Sequence, residues 1–149
     1  MIVEPCTGQH LEQWVRLRQA LWTEATEQEL RLEATAILER PDDGIAFIGW
    51  AESAEAIAFA EASLRRDYVN GCGTYPVGFL EGLYVDEAWR GRGIARTLCC
   101  LAEDWAASRG CSEFASDVLL DNETSQRAHE ALGFEETERV VYYLKSLRR

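Results

Sequence analysis

Residues 79–101, FLEGLYVDEAWRGRGIARTLCCL, decide the fold of this chain. The stretch begins with an apolar run, FLEGLYV, whose β-favouring residues predict a strand. A polar turn, DEAWRGRG, follows, and apolar residues then recur at helical spacing at Ile94, Leu98, Leu101 and Trp105. The segment therefore predicts a strand that leads through a glycine-rich turn into a helix.

A turn of this kind is a recurrent binding site for phosphate groups. The backbone N–H groups of a first helical turn have no partner within the helix, and the helix dipole favours negative charge there. Arg90 and Arg92 lie in the turn and could add charge-assisted hydrogen bonds. We therefore expect a phosphate-bearing ligand at the beginning of this helix.

The composition indicates one globular domain, residues 1–149, that is long enough to bury a sizeable core. No stretch is long and apolar enough to span a bilayer, and the N-terminus lacks the basic and apolar regions of a signal peptide. The five cysteines form no C-x-x-C pair, and an odd number cannot all pair within one chain. These features predict a cytoplasmic protein with reduced thiols and no metal site.

The net charge of −11 argues against a nucleic-acid partner, because phosphate backbones require Lys and Arg. It is compatible with a cationic substrate, and equally with an acidic surface that serves only solubility. The same two interpretations, a solvated helix face or an acidic rim for a cation, apply to five early glutamates: Glu24, Glu27, Glu29, Glu33 and Glu39.

The remaining patterns predict the element order β-α-α-β-β-β-α-β-α-β and an α/β fold. Besides the central strand, the strands are expected at 1–6, 45–51, 56–64, 111–119 and 138–144. Helices are expected at 10–22, 27–40, 94–109 and 121–132, with Asn122 as cap and Gly133 as stop of the last. A hairpin beside a strand–helix–strand crossover predicts a central mixed β-sheet with helices on both faces.

Two motifs carry a family resemblance. The turn Arg90-Gly91-Arg92-Gly93-Ile94-Ala95 fits Arg/Gln-x-x-Gly-x-Gly/Ala, and Asn122 lies eleven residues before Gly133-Phe134. With both motifs in this element order, the chain resembles the GCN5-related N-acetyltransferase (GNAT) superfamily over essentially its whole length. A Rossmann dinucleotide site fits poorly, because Arg96 stands where its third glycine belongs and the turn comes late in the chain.

Longer phrases outside the cofactor motif resemble the aminoglycoside 6′-N-acetyltransferases of bacterial resistance. They are Leu21-Trp22, Asp67-Tyr68-Val69-Asn70-Gly71-Cys72, Phe79-Leu80-Glu81-Gly82, Ala115-Ser116-Asp117 and the segment from His129 to Arg139. The resemblance implies an acyltransferase that moves the acetyl group of acetyl-CoA to the 6′-amine of an aminoglycoside by direct attack in a ternary complex. It also implies a homodimer, to which the apolar run VVYYL could contribute.

The resemblance implies residues on the donor side. The pyrophosphate of acetyl-CoA would lie at the turn and the pantetheine arm along a splayed central strand, with Gly82 as a natural place for a bulge. The implied donor-side residues are Leu83, Tyr84, Val85, Arg90, Gly91, Arg92, Gly93, Ile94, Ala95, Asn122 and Ser125. Asn122 could instead serve only as a helix cap.

On the acceptor side, Glu81 is the most informative acid. Strand alternation places it with Val77, Phe79, Leu83 and Val85, so it must pair, change protonation state or face a ligand cavity. The resemblance assigns it to the acceptor amine; a buried ion pair is the alternative. The other implied acceptor-side residues are Trp22, Tyr68, Asp117 and Glu136, with core packing as an alternative for Trp22 and turn capping for Asp117.

The reaction needs routes for two protons. An alkyl amine with a pKa of about 10.4 is almost wholly protonated at neutral pH, so Glu81, acting through water, is the candidate base. Many family members have a Tyr seven residues after the Asn of the second motif, and this chain has His129 there. His129 could protonate the departing thiolate, or could be a packed or capping histidine. Acetylation of polyamines or protein amines, and non-catalytic binding of acetyl-CoA or aminosugars, remain alternative functions.

Overall fold

A computed structural model describes residues 1–148 of the chain. These residues divide into two compact units, the first Met1–Asp117 and the second beginning at Val118. None of the helices in the described part is long and apolar enough to cross a membrane.

The first unit is built on a five-stranded mixed sheet with the strand order β1-β2-β3-β4-β5. Strands β1 to β4 pair with one another in antiparallel fashion. Strands β4 and β5 are parallel, as the predicted strand–helix–strand crossover requires. The strands are β1 (Ile2–Pro5), β2 (Gly44–Trp50), β3 (Ala56–Arg65), β4 (Val77–Val85) and β5 (Phe114–Ser116). The helices are α1 (Leu11–Leu21), α2 (Glu27–Glu39) and α3 (Ile94–Ser108).

The helices cover both faces of this sheet, as expected. Trp14 and Leu17 of α1 and Leu30 of α2 are completely buried on one face. On the other face, Ala102 and Ala106 of α3 pack against Ala62 of β3. The apolar face of each helix thus packs against the sheet, and the mixed-sheet architecture predicted from sequence is confirmed.

Helix α2 shows how the early glutamates are used. Thr26 and Glu29 form a capping box, in which the side chain of each accepts a hydrogen bond from the backbone N–H of the other. Glu27 pairs with Arg31 one helical turn later, and Glu33 pairs with Arg18 of α1. These three carboxylates therefore bind partners within the protein.

The second unit contains α4 (Glu123–Ala131), which Asn122 caps and after which Gly133 adopts a positive φ of 98°, as predicted. The strand expected at 138–144 is wrong: residues 134–148 contain no helix or strand. The β-branched and aromatic pattern favours a strand, but a strand exists only when another pairs with its backbone. The side chains of 141–144 are instead exposed. Strand β5 is also shorter than the 111–119 predicted.

Candidate active site

The pairing of the parallel strands β4 and β5 ends directly before two of the predicted acids, one on each strand. The three paired positions are Gly78 with Phe114, Phe79 with Ala115 and Leu80 with Ser116. The next residues along the two strands are Glu81 and Asp117. Strand β4 continues to Val85, and in the described part of the chain no strand pairs with that stretch on the β5 side. This end of β4 is the stretch along which the resemblance places the pantetheine arm, and that role stays a prediction.

A β-bulge occurs at Glu81. Glu61 of β3 is opposite Gly82 and Ala62 is opposite Leu80, so Glu81 is the extra residue on β4. The sequence predicts a bulge at Gly82, and the observed bulge lies one residue earlier. A bulge re-aims the side chain that it carries, because the extra residue interrupts the alternation of the strand.

The bulge corrects the predicted surroundings of Glu81. Glu81 contacts Ser63 and Arg65, which lie on the same face of β3 as Glu61. Leu83 and Val85 are opposite Ala60 and Ala58 and therefore lie on the other face of the sheet, away from Glu81. Glu81 is partly exposed and forms an ion pair with Arg65, 2.7 Å between Nη2 and Oε1. Ser63 Oγ donates to the same oxygen at 2.9 Å. The carboxylate is therefore paired, at the surface rather than in the core.

Trp22 follows α1 and packs its ring against the backbone beside Glu81. A Cβ on Gly82 would lie 2.6 Å from Trp22 Cη2, so the indole occupies the space that a side chain would need. The guanidinium of Arg18 lies 4.6 Å from the ring centroid, and Phe59 lies against the ring at 5.8 Å. Trp22 is partly buried, so the packing interpretation accounts for its ring; contact with a sugar stays a prediction.

Two residues missed in the sequence support this arrangement. Arg18 and Glu61 are 3% and 2% exposed and form a bidentate pair, with Nε to Oε2 at 2.7 Å and Nη2 to Oε1 at 3.0 Å. Trp14 Nε1 also donates to Glu61 at 2.8 Å. A signal was present: Arg18 lies on the apolar face of α1, and Glu61 interrupts an apolar strand. Opposite charges on two buried faces indicate a buried pair.

The loop between β3 and β4 carries Tyr68, whose side chain is exposed. Val69 anchors the loop by packing with Val77 and Phe79. Glu113 anchors its other end, because Oε1 accepts hydrogen bonds from the N–H groups of Gly73 and Thr74 at 2.9 and 2.8 Å and from the Thr74 hydroxyl. These hydrogen bonds lower the pKa of Glu113, and the bond from the Thr74 hydroxyl contributes most.

The phosphate turn has an open backbone. Gly91 and Gly93 have φ values of 77° and 80°, and a Cβ on either would meet nothing within 4 Å. Gly93 caps α3, whose first helical hydrogen bond runs from Thr97 N–H to the Gly93 carbonyl. The N–H groups of Ile94 and Ala95 thus precede the helical ladder, as those of a phosphate-binding turn do.

The two arginines of the turn make local contacts. Arg90 Nε donates to the Val85 carbonyl at 2.8 Å, which ties the turn to the end of β4. Arg92 lies over Trp89 at 4.7 Å and is exposed. Arg90 therefore shapes the turn, and both remain predicted donor-side residues.

The second unit holds the remaining predicted residues. Asn122 Oδ1 accepts a hydrogen bond from Ser125 N–H at 3.1 Å, which is the alternative role of this residue, a helix cap. His129 Nδ1 lies 2.7 Å from the Ser125 carbonyl, so Nδ1 carries the hydrogen, and its ring packs on Phe134 at 5.2 Å. Glu136 is exposed and pairs with Arg139 at 2.7 Å. The roles of these residues toward ligands stay predictions.

The five cysteines are free thiols. Burial raises the pKa of Cys99 to about 12 and also raises the pKa of Cys6, so neither supplies a thiolate near neutral pH. Among the described residues, no three His, Cys, Asp or Glu side chains cluster as a metal site would require.

Comparison with known proteins gives consistent matches. Residues 11–134 match the Acetyltransferase (GNAT) family. The chain is 46% identical over 142 residues to an aminoglycoside N(6′)-acetyltransferase type 1 of Serratia marcescens, covering 95% of this chain and 97% of that protein. It is 41% identical over 147 residues to the protein of the same name from Acinetobacter baumannii, with 99% of each covered.

Solved structures agree with these matches. The apo aminoglycoside 6′-N-acetyltransferase AAC(6′)-Ig of Acinetobacter haemolyticus superposes with a TM-score of 0.94 at 42% identity, covering 99% of this chain and 100% of that chain. AAC(6′)-Iy in complex with the bisubstrate analogue CoA-S-monomethyl-acetylneamine superposes with a TM-score of 0.92 at 42% identity, with 98% of both chains covered.

Proposed function

The chain belongs to the GNAT acetyltransferase family, and we propose that it transfers the acetyl group of acetyl-CoA to the 6′-amine of aminoglycosides and so confers resistance to them. The observation that carries the acceptor side is the succession of Glu81 and Asp117 in register where β4 and β5 separate. Two carboxylates beside an open strand edge offer an ammonium partner next to the path of a thioester arm. The named relatives support the same acceptor class.

On the donor side, the open cradle at Gly91 and Gly93 fits a pyrophosphate, since its N–H groups precede the helical ladder and its surface is unobstructed. The backbone of Leu83 to Val85 would hold the pantetheine arm as an added strand would be held. Acetyl-CoA supplies the thioester carbonyl that the amine attacks. Asn122 and Ser125 would contact the pantetheine or adenosine part.

On the acceptor side, Glu81 and Asp117 would bind the ammonium, and Glu81 would accept its proton through water before attack. Tyr68 and Trp22 would offer flat walls to the sugar rings, and Glu136 would bind a further ammonium. His129 would protonate the departing thiolate. Raised pKa values at Cys6 and Cys99 favour direct attack over transfer through either thiol.

The test is acetylation of a drug panel. Purified protein with acetyl-CoA and kanamycin or tobramycin should yield a product heavier by one acetyl group, and NMR should map it to the 6′-nitrogen. Absence of product across the panel would overturn the acceptor assignment. Acetylated polyamines or peptides in place of drugs would indicate the alternative acceptors, and ligand binding without release of free CoA would indicate a non-catalytic module.

We further propose a homodimer in the cytoplasm. The apolar side chains of Val141, Tyr142, Tyr143 and Leu144 are 73–94% exposed, and contiguous exposed apolar surface is typical of an interface. Five free thiols suit a reducing compartment.

A further inference from the structure

Arg65 forms an ion pair with Glu81, the carboxylate that we assign to the acceptor amine. Its Nη2 lies 2.7 Å from Oε1 and 3.0 Å from Oε2 of Glu81, and its Nε lies 3.2 Å from Oε1. The guanidinium also lies over the ring of Phe79, 3.6 Å from the centroid. One cation of the protein thus binds both oxygens of Glu81.

An acceptor ammonium at Glu81 would have to share or replace these bonds. Arg65 and an ammonium carry like charges, and binding both at one carboxylate would bring them within a few ångströms of each other. Such proximity is unfavourable. An acceptor therefore binds Glu81 more tightly when Arg65 turns away.

The pair is built so that exchange is possible. The side chains of Arg65 and Glu81 are 44% and 33% exposed. Exposed ion pairs are weak because water competes for both charges and two long side chains lose rotamer freedom. The buried pair of Arg18 and Glu61 on the same face is 4% and 2% exposed and lacks this property.

We propose that Arg65 is a specificity-determining residue: it holds Glu81 in the absence of acceptor and yields to amines that carry several positive charges. This inference rests on the proposed function. An amine with one charge must displace Arg65 with that single ammonium group. A polyamine sugar carries further ammonium groups, which other acidic side chains of this negatively charged protein can bind, and multivalent contacts outcompete the tethered side chain.

The experiment compares Arg65→Gln with Arg66→Gln. Both variants lose one positive charge at adjacent positions, but Arg66 pairs with Asp43, 2.7 Å away, and not with Glu81. We expect R65Q to lower KM for kanamycin about three- to fivefold, because the exposed pair is weak and its removal raises the share of enzyme with a free Glu81. We expect R66Q to change it less than about twofold. KM for acetyl-CoA should stay unchanged in both.

A second acceptor tests selectivity. The monocationic amine 6-amino-6-deoxyglucose should gain more in kcat/KM from R65Q than kanamycin does. If R65Q fails to fold, Arg65→Met, whose apolar side chain can still cover Phe79, carries the same expectations. Equal effects of R65Q and R66Q on KM, or a higher KM in R65Q, would overturn the exchange while leaving the activity of the unmodified enzyme in place. An unmodified enzyme that acetylates no aminoglycoside would overturn both proposals.

Discussion

Glu81 shows how a single extra residue in a strand changes the surroundings of a carboxylate. Without the bulge, alternation would place the carboxylate among apolar side chains, at a high desolvation cost. With the bulge, Leu83 and Val85 lie on the other face, and Glu81 has Ser63 and Arg65 as partners and is partly exposed. That the carboxylate of Glu81 needs a partner could be predicted from the sequence, but its surroundings could not, because a bulge depends on the pairing with β3.

The first prediction concerns the charge of Glu81. Glu81→Gln keeps a hydrogen-bond acceptor for Ser63 but cannot take up a proton, so kcat/KM for kanamycin should fall by about 10²–10⁴-fold. The dissociation constant of CoA, measured by calorimetry, should not change. Asp43→Asn, which alters another surface acid paired with an arginine, is the matched control. Loss of CoA binding together with turnover in E81Q would identify Glu81 as structural.

The second prediction concerns the contact between Gly82 and Trp22. Gly82→Ala would place a Cβ 2.6 Å from Trp22 Cη2 and must displace a ring that Arg18 and Phe59 hold. Overpacking of this kind costs about 1–3 kcal/mol, which thermal unfolding should register. KM for the acceptor should rise as well, because the ring lies beside Glu81.

Two further variants sharpen this prediction. Gly8→Ala is the control, since a Cβ there meets nothing within 4 Å. Trp22→Phe removes the atoms that clash, so the double variant should recover part of the stability that Gly82→Ala loses. If the double variant is as unstable as the sum of the two single ones, the indole is not what restricts Gly82.

At the scale of elements, β4, its turn and α3 were predictable because each is specified locally. Apolar alternation, two glycines and helical spacing all lie within 79–105, and the observed β4 and α3 agree with them. The bulge and the short β5 depend on partner strands, which no local pattern reports. The buried pair of Arg18 and Glu61 joins residues 43 positions apart. It could be inferred only by placing the apolar face of α1 against the apolar face of β3.

The third prediction concerns the loop that Glu113 anchors. The lowered pKa of Glu113 means that its ionised form is favoured by folding, so its stabilisation is complete above its unfolded pKa of about 4.3 and disappears as the pH falls through its lower folded pKa. Glu113→Gln should therefore melt at a lower temperature than the unmodified protein at pH 7. The difference should shrink as the pH is lowered below about 4.3.

Hydrogen exchange localises this effect. The N–H groups of Gly73 and Thr74 should exchange faster in E113Q, because each donates to the Glu113 carboxylate. Glu24→Gln, at an exposed position, is the control for loss of one negative charge. An unchanged exchange rate at both amides, or a melting difference that persists at low pH, would contradict the anchoring role.

At the scale of the whole molecule, the surface charge bears on how substrates reach the enzyme, and the exposed residues 141–144 bear on the homodimer that we propose. Residues 138–144 have the residue types of a strand but lack a partner strand in the described chain. Their sequence therefore indicates β propensity and does not tell whether another strand pairs with them. The net charge of −11 was readable from composition, and its consequence is kinetic.

The last prediction separates the two substrates by their charge. A cationic acceptor is attracted by a protein of charge −11, so rising ionic strength should screen the attraction and raise KM for kanamycin. Acetyl-CoA is an anion, and the same screening weakens its repulsion from the protein as a whole, so KM for acetyl-CoA should not rise in parallel. Initial rates from about 20 to 300 mM salt, spanning the range in which the Debye length falls below about 10 Å, measure both trends. A parallel rise of both KM values would contradict steering by the net charge, because that steering must act on the two substrates with opposite sign.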